Sequence, residues 1–335
     1  MKKPIVAVTM GDAAGVGPEI VLKAMCREEV FDVCRPLIIG SAQILEACAR
    51  MLAIPASVTP VSSIEDHAYT LGQAAVYECG SLGPDDFTPG TYNASCGKAM
   101  LAWAEEGIRL CLAGRVHGVV GGPHAKKSVD LAGVEFHGYP DFVAGQTGSK
   151  QCFLMLVSGS LRVCNATLHV PMRQACDLIS RDLVLNAILE VHKAVVRLGI
   201  PAPKIAVAGL NCHAGEEGMF GTEEIDSIRP AVEDAVREGI DARGPYAGDS
   251  LFYGCLENKY DAYLGMYHDQ AHIALKTVAF EQSGGLVLGT PIVFATVGHG
   301  AAFDIAWRNK AFPTSLAATI RLVASVRPDA AGASV

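Results

Sequence analysis

At 335 residues, half of them hydrophobic and 19% charged, the chain is long enough for two domains or one large α/β unit with a substantial core. Lys and Arg number 27 against 35 Asp and Glu, giving a net charge of −8 and a pI near 5.7 with no basic run, which argues against nucleic acid or an anionic membrane as a partner. An anionic substrate must therefore meet a few local cations or a metal.

The opening stretch MKKPIVAVTMGD holds about six apolar residues before Gly11 and Asp12, too short a run for a signal peptide. No segment approaches the roughly 20 unbroken apolar residues of a membrane helix. Eleven cysteines lie scattered through apolar runs with no C-x-x-C. That usage points to reduced thiols and a cytoplasmic protein, and away from cysteine-bound zinc.

In chain order, PIVAVTM (4–10) predicts a strand, and Pro18 opens a helix with Glu19 at its positive end. RPLIIG (35–40) predicts a second strand, followed by a helix from about Ser41. The glycine cluster between the first pair, MGDAAGVGPEI, runs G-x-x-x-G-x-G, which suits a tight strand-to-helix turn better than a dinucleotide fingerprint. VHGVVGG, CFLMLVS, LRVCNATLH, KIAVAGLN and AYLGMY predict further strands, with helices over about 180–198 and 223–238. The alternation predicts an α/β fold with a largely parallel sheet.

Three histidines each follow a predicted strand: His169, His213 and His268. Parallel strand ends converge on one crevice, and an all-imidazole set suits a divalent cation such as Zn²⁺, Co²⁺, Mn²⁺ or Ni²⁺. The ordinary alternative at each position is a hydrogen-bonded histidine, and for His268 a catalytic base. His268 and His272, four apart, would share a helix face, but the short glycine-containing run before them favours a strand ending at His268, with His272 in a loop. His299, between glycines in VGHGAAFDIAW, implies either close backbone approach to a ligand or a tight turn opening a helix.

The blocks MGDAAGVGPEI, GGPHAKK, NATLHVPMR, GLNCHAGEEGMFG, GPYAGDSLF, MYHDQAHIALK and LGTPIVFATVGHGAAFDIA stand in the order found in the 4-hydroxythreonine-4-phosphate dehydrogenase (PdxA-like) family, which the chain resembles over about residues 4–325. The resemblance implies an isocitrate/isopropylmalate dehydrogenase-like fold: two α/β domains with a central cleft. An NAD-binding domain is expected over 1–130 plus 285–335, and a substrate, metal and dimerisation domain over 131–284. It implies NAD as cofactor, and one divalent metal ion (Zn, Mn, Co, Ni or Mg) held by His169, His213 and His268. The third ligand comes from the neighbouring subunit of a homodimer. Asp249 and Lys276 match catalytic positions of the family, and Lys126 a substrate contact. Gly289, His299, Gly300 and Asp304 match the loop around the adenosine end of the cofactor, where Trp307 replaces a usual glycine.

Departures from the family pattern carry the expected substrate. Its GHTE anchor aligns with Gly138-Tyr139-Pro140-Asp141, and a C-terminal asparagine and arginine align with Gly285 and Phe294. A phosphate needs charge-assisted donors, which proline and phenylalanine lack. Tyr139, Pro140 and Phe294 would instead wall a flat, partly apolar ring. The expectation is thus the branch resembling terephthalate 1,2-cis-dihydrodiol dehydrogenase: metal-dependent, NAD-linked oxidative decarboxylation of a carboxylated cis-dihydrodiol to a catechol such as protocatechuate. The alternatives are dehydrogenation of 4-hydroxythreonine 4-phosphate or a related phosphorylated hydroxy acid, and a metal-dependent hydrolase or lyase without nicotinamide.

Overall fold

The computed structural model describes residues 2–279 and 282–328. Its strands are β1 (Ile5–Thr9), β2 (Arg35–Gly40), β3 (Ser57–Pro60), β4 (Gln73–Glu78), β5 (Gly118–Gly121) and β6 (Phe153–Ser158). They continue with β7 (Leu161–Asn165), β8 (Lys204–Ala208), β9 (Asp241–Tyr246), β10 (Ala262–Gly265), β11 (Gly284–Leu288) and β12 (Phe294–Val297). Helices separate most of them, as the alternating pattern predicts. No helix among the described residues is long and apolar enough to cross a membrane.

The chain divides into two compact units. Unit 1 takes the described residues within Met1–Lys150, Glu281–Leu286 and Thr290–Ser325. Its strands run β3-β4-β2-β1-β5-β12 and pair in parallel throughout. β1 and β5 are buried at every residue, because parallel sheets carry helices on both faces, and this explains their unbroken apolar sequences. The helix Ala94–Leu112 packs close to the sheet: a Cβ on Gly107 would touch Val119 and Ile39.

Unit 2 takes the described residues within Gln151–Phe280, Val287–Gly289 and Val326–Val335, so β11 straddles the division in sequence. Its strands run β6-β7-β10-β8-β9. β7, β10, β8 and β9 pair in parallel, while β6 and β7 form an antiparallel hairpin. The first break falls at 150, not at 130. Residues 131–150 belong to unit 1 because the ring of Tyr139 packs on Phe294 of β12, centroids 5.3 Å apart. After Ser325 the chain joins unit 2 through reciprocal bonds, Arg327 N–H to the Arg197 carbonyl and Arg197 Nε to the Arg327 carbonyl, each 2.9 Å. The rest of the expected first domain, residues 329–335, lies outside the described residues.

Candidate active site

In unit 2, β7, β10 and β8 lie side by side and parallel, so their C-terminal ends emerge at one edge of the sheet. His169 stands four residues beyond β7, His268 three beyond β10 and His213 five beyond β8. The loops are stitched together. Ala166 N–H donates to the Gly265 carbonyl at 2.9 Å, and both the N–H and the hydroxyl of Thr167 donate to the Met266 carbonyl, at 3.1 and 2.8 Å. Gln270 accepts from Met266 N–H at 2.6 Å and donates to the Gly209 carbonyl at 2.9 Å, joining the β10 loop to the β8 loop. Neither Thr167 nor Gln270 stands out in the sequence, though Gln270 sits inside the MYHDQ block.

His268 opens the helix His268–Ala279, and its ring centroid lies 5.8 Å from that of His169. Its Nδ1 meets the Asp269 carboxylate at 2.6 Å. A carboxylate on one ring nitrogen fixes the tautomer and leaves Nε2 for a ligand. His213 lines a different cavity of about 520 Å³ together with Asp249 and Gln270, while His169 and His268 line one of about 310 Å³. Tyr267 and Asp269 face both cavities. Among the described residues of one chain, no three His, Cys, Asp or Glu side chains are grouped to hold a metal ion.

The helix corrects two expectations. His272 lies on it, not in a loop, buried and with its ring 3.8 Å from that of His268. Burial first, then the neighbouring His268, Lys276 and His169, push its pKa down to about 3. Lys276 lies in the last turn of the same helix. Asp249, in the first turn of the helix Gly248–Leu251, is exposed on the wall of the larger cavity.

Unit 1 holds the remaining candidates except Gly289. Tyr139 and Phe294 are each 0% exposed, and Pro140 is also buried. The Tyr139 hydroxyl donates to the Gly122 carbonyl at 3.1 Å, its ring packs edge-on to Phe136 and His124, and burial drives its phenol pKa up. These residues form core, so the expected aromatic wall is corrected: Tyr139 and Phe294 present no side-chain surface to a ring. Lys126 is exposed in a cavity of about 420 Å³ with Lys127, His124, Asp304 and the tilted ring pair Tyr92–Phe303, centroids 4.5 Å apart. His299 places Nδ1 3.0 Å from the Gly300 carbonyl. Gly289 falls in unit 2 at φ +81°, where a Cβ would lie 2.5 Å from the Gln151 carbonyl oxygen. Trp307 takes the left-handed conformation, φ +57°, that glycine would adopt without strain. Burial of its ring and a 3.0 Å bond from its Nε1 to the Ala13 carbonyl offset that cost.

The chain is similar to known proteins over nearly its whole length. A protein of Symbiobacterium thermophilum with the provisional name D-threonate 4-phosphate dehydrogenase is 37% identical, covering 96% of each chain. A 4-hydroxythreonine-4-phosphate dehydrogenase of Desulforapulum autotrophicum is 36% identical over 96% of this chain and 95% of its own. The crystal structure of 4-hydroxythreonine-4-phosphate dehydrogenase from Klebsiella pneumoniae matches with a TM-score of 0.87 at 32% identity, covering 97% of this chain and 99% of that one. A terephthalate 1,2-cis-dihydrodiol dehydrogenase from Burkholderia xenovorans LB400 matches at the same identity with a TM-score of 0.69, covering 97% and 98%. A beta-decarboxylating dehydrogenase of Thermococcus kodakarensis, 17% identical with a TM-score of 0.50 and coverage of 96% and 82%, shares the fold, as the isocitrate/isopropylmalate dehydrogenase-like expectation requires. The expected decarboxylation of a carboxylated dihydrodiol is overturned: the strong relatives are named for phosphorylated hydroxy acids, and the aromatic residues that suggested a ring are core. The family model for pyridoxal phosphate biosynthetic protein PdxA matches residues 32–323, and the chain belongs to this PdxA family of oxidoreductases.

Proposed function

We propose that the chain oxidises a small phosphorylated hydroxy acid, of the D-threonate 4-phosphate or 4-hydroxythreonine 4-phosphate kind, and passes the hydride to NAD⁺ or NADP⁺. The observation that carries this reading is the end-to-end match to relatives named for those substrates. Three imidazoles at neighbouring strand ends have the donor chemistry for a divalent cation, and Asp269 already holds one ring by Nδ1. His169 and His213 of one chain with His268 of a second copy would hold the ion, in a homodimer with shared sites. The cation would supply a Lewis acid and the nicotinamide a hydride acceptor.

The protein's own part is binding and proton handling. Asp249, exposed beside His213, accepts the proton of the substrate hydroxyl, directly or through water. Lys276 adds positive charge close to His272. Lys126 and Lys127 offer charge-assisted donors to a phosphate, which a molecule of net charge −8 must provide locally. His299, Gly300 and Asp304 remain the candidate contacts to the nicotinamide dinucleotide, and the Tyr92–Phe303 pair beside Asp304 gives a base somewhere to stack.

Initial rates with Mn²⁺ or Zn²⁺ and each nicotinamide test the proposal, comparing D-threonate 4-phosphate and 4-hydroxythreonine 4-phosphate with their unphosphorylated forms. Reduction of nicotinamide with the phosphorylated acids alone is the expected result. Turnover of the unphosphorylated acids at equal kcat/KM would refute it, and metal-dependent consumption of substrate without nicotinamide reduction would favour a hydrolase or lyase.

A further inference from the structure

The loop bearing His213 has an unusual backbone. From His213 to Glu217 five consecutive residues lie in the left-handed region, with φ of 54°, 52°, 78°, 43° and 52°. Only Gly215 among them takes this conformation without steric cost, so something outside the run must hold it. The neighbouring Glu224 bonds the segment that leads into it. It is 1% exposed, and its Oε1 accepts from the backbone N–H groups of both Leu210 and Asn211 at 2.7 Å. Its Oε2 accepts from the Asn211 side-chain amide at 2.9 Å. A Cβ on Gly209 would lie 2.9 Å from Oε1, and one on Gly215 2.7 Å from Oε2, so both glycines leave room for the carboxylate. Glu224 begins a π-helical turn, Glu224–Ile228, a rare form that re-aims side chains and recurs at functional sites.

We propose that Glu224 is the positioning residue of the site: its buried carboxylate, not the metal, sets the left-handed turn and presents the His213 imidazole before any ion arrives. Its role in metal binding rests on His213 being a ligand. Its control of the turn does not.

The test uses the full-length, metal-free protein and the variants Glu224→Ala, Glu224→Gln, Glu224→Asp and His213→Ala. NMR of uniformly nitrogen-15-labelled protein follows the His213 ring and the Leu210 and Asn211 amides, and calorimetry with Zn²⁺ alone measures affinity. In Glu224→Ala the ring and both amides shift without metal, and Zn²⁺ affinity falls about 10- to 100-fold, the scale of losing a group that orients a ligand. Glu224→Gln keeps an acceptor for the two N–H groups and retains the native His213 signal, with an affinity loss below that range. Unmoved His213 and loop signals in Glu224→Ala would overturn the proposal, whatever the calorimetry shows. Signals that move while His213→Ala binds Zn²⁺ like the parent would uphold the positioning role and refute His213 as a ligand. If Glu224→Ala does not fold, Glu224→Asp decides, since its shorter carboxylate cannot reach both N–H groups: a displaced His213 signal with weaker Zn²⁺ binding supports the proposal, and an unmoved signal overturns it.

Discussion

At the scale of single residues, the site is marked by chemistry that its neighbours lack. Cys212 is the exposed member of eleven free thiols and sits next to His213, whereas burial pushes Cys34, Cys48 and Cys96 up to about 12. The thiolate is the reactive form, so brief maleimide treatment of native protein is expected to label Cys212 first and leave those three intact, as peptide mass mapping will show. Asp12 tells a different story. Its Oδ1 accepts from Ala14 N–H at 3.0 Å, but burial raises the carboxyl above its ordinary 3.8, and Ser128 and the Ala14 and Gly15 N–H groups counter this only in part. A raised folded-state pKa means the folded protein binds that proton more tightly than the unfolded chain does. The ionised form therefore costs stability once the pH climbs past 3.8 and through the folded value, and the cost is then constant. Asp12→Asn is expected to match the parent in acid and to exceed it by roughly 1–2 kcal/mol at neutral pH in urea unfolding. Equal stability at both ends would show the carboxyl is not strained.

Elements show what a sequence can disclose and where it falls silent. β1, β2, β5 and β8 were legible as apolar runs, and the helix Arg181–Arg197 as a long amphipathic stretch with Ser180 accepting from Leu183 N–H at its start. β3 and β9 were not. SVTP is partly exposed at a sheet edge, and DARGPY carries charge, glycine and proline, so neither shows alternation. The three strand-end histidines were legible because each comes shortly after such a run. The burial of Tyr139 and Phe294 was not, since an aromatic side chain reads the same in a cleft and in a core. Nor was the second role of Glu19, expected only at a helix start. It is 0% exposed and accepts from the N–H groups of Asn309 and Ala311 at 3.2 and 2.8 Å, while Lys23 bridges it to the Ala311 carbonyl. Glu19→Ala strands the buried Ala311 N–H and frees the Asn309 N–H. It should lower unfolding free energy by about 2–3 kcal/mol and speed hydrogen exchange at Asn309 and Ala311, with Glu19→Gln closer to the parent. Unchanged exchange there would remove Glu19 from the segment's support.

For the whole molecule, the account requires two copies of the chain. If His213 and His268 of one site come from different subunits, His213→Ala and His268→Ala should each be inactive alone. Mixed and refolded together, half the dimers are hybrids with one intact site each, so about a quarter of parental activity should return. No recovery, with hybrids shown by mass after one variant is nitrogen-15-labelled, would place both ligands in one chain. The central claim is that strand-end histidines hold a cation needed to oxidise a phosphorylated hydroxy acid. The most direct measurement is turnover of D-threonate 4-phosphate and 4-hydroxythreonine 4-phosphate by protein stripped with a chelator and then given back Zn²⁺ or Mn²⁺. The account predicts activity on at least one of the two that vanishes on stripping and returns with the ion, but not in His169→Ala. Full activity in the stripped protein, or none on either acid with any ion, would contradict it.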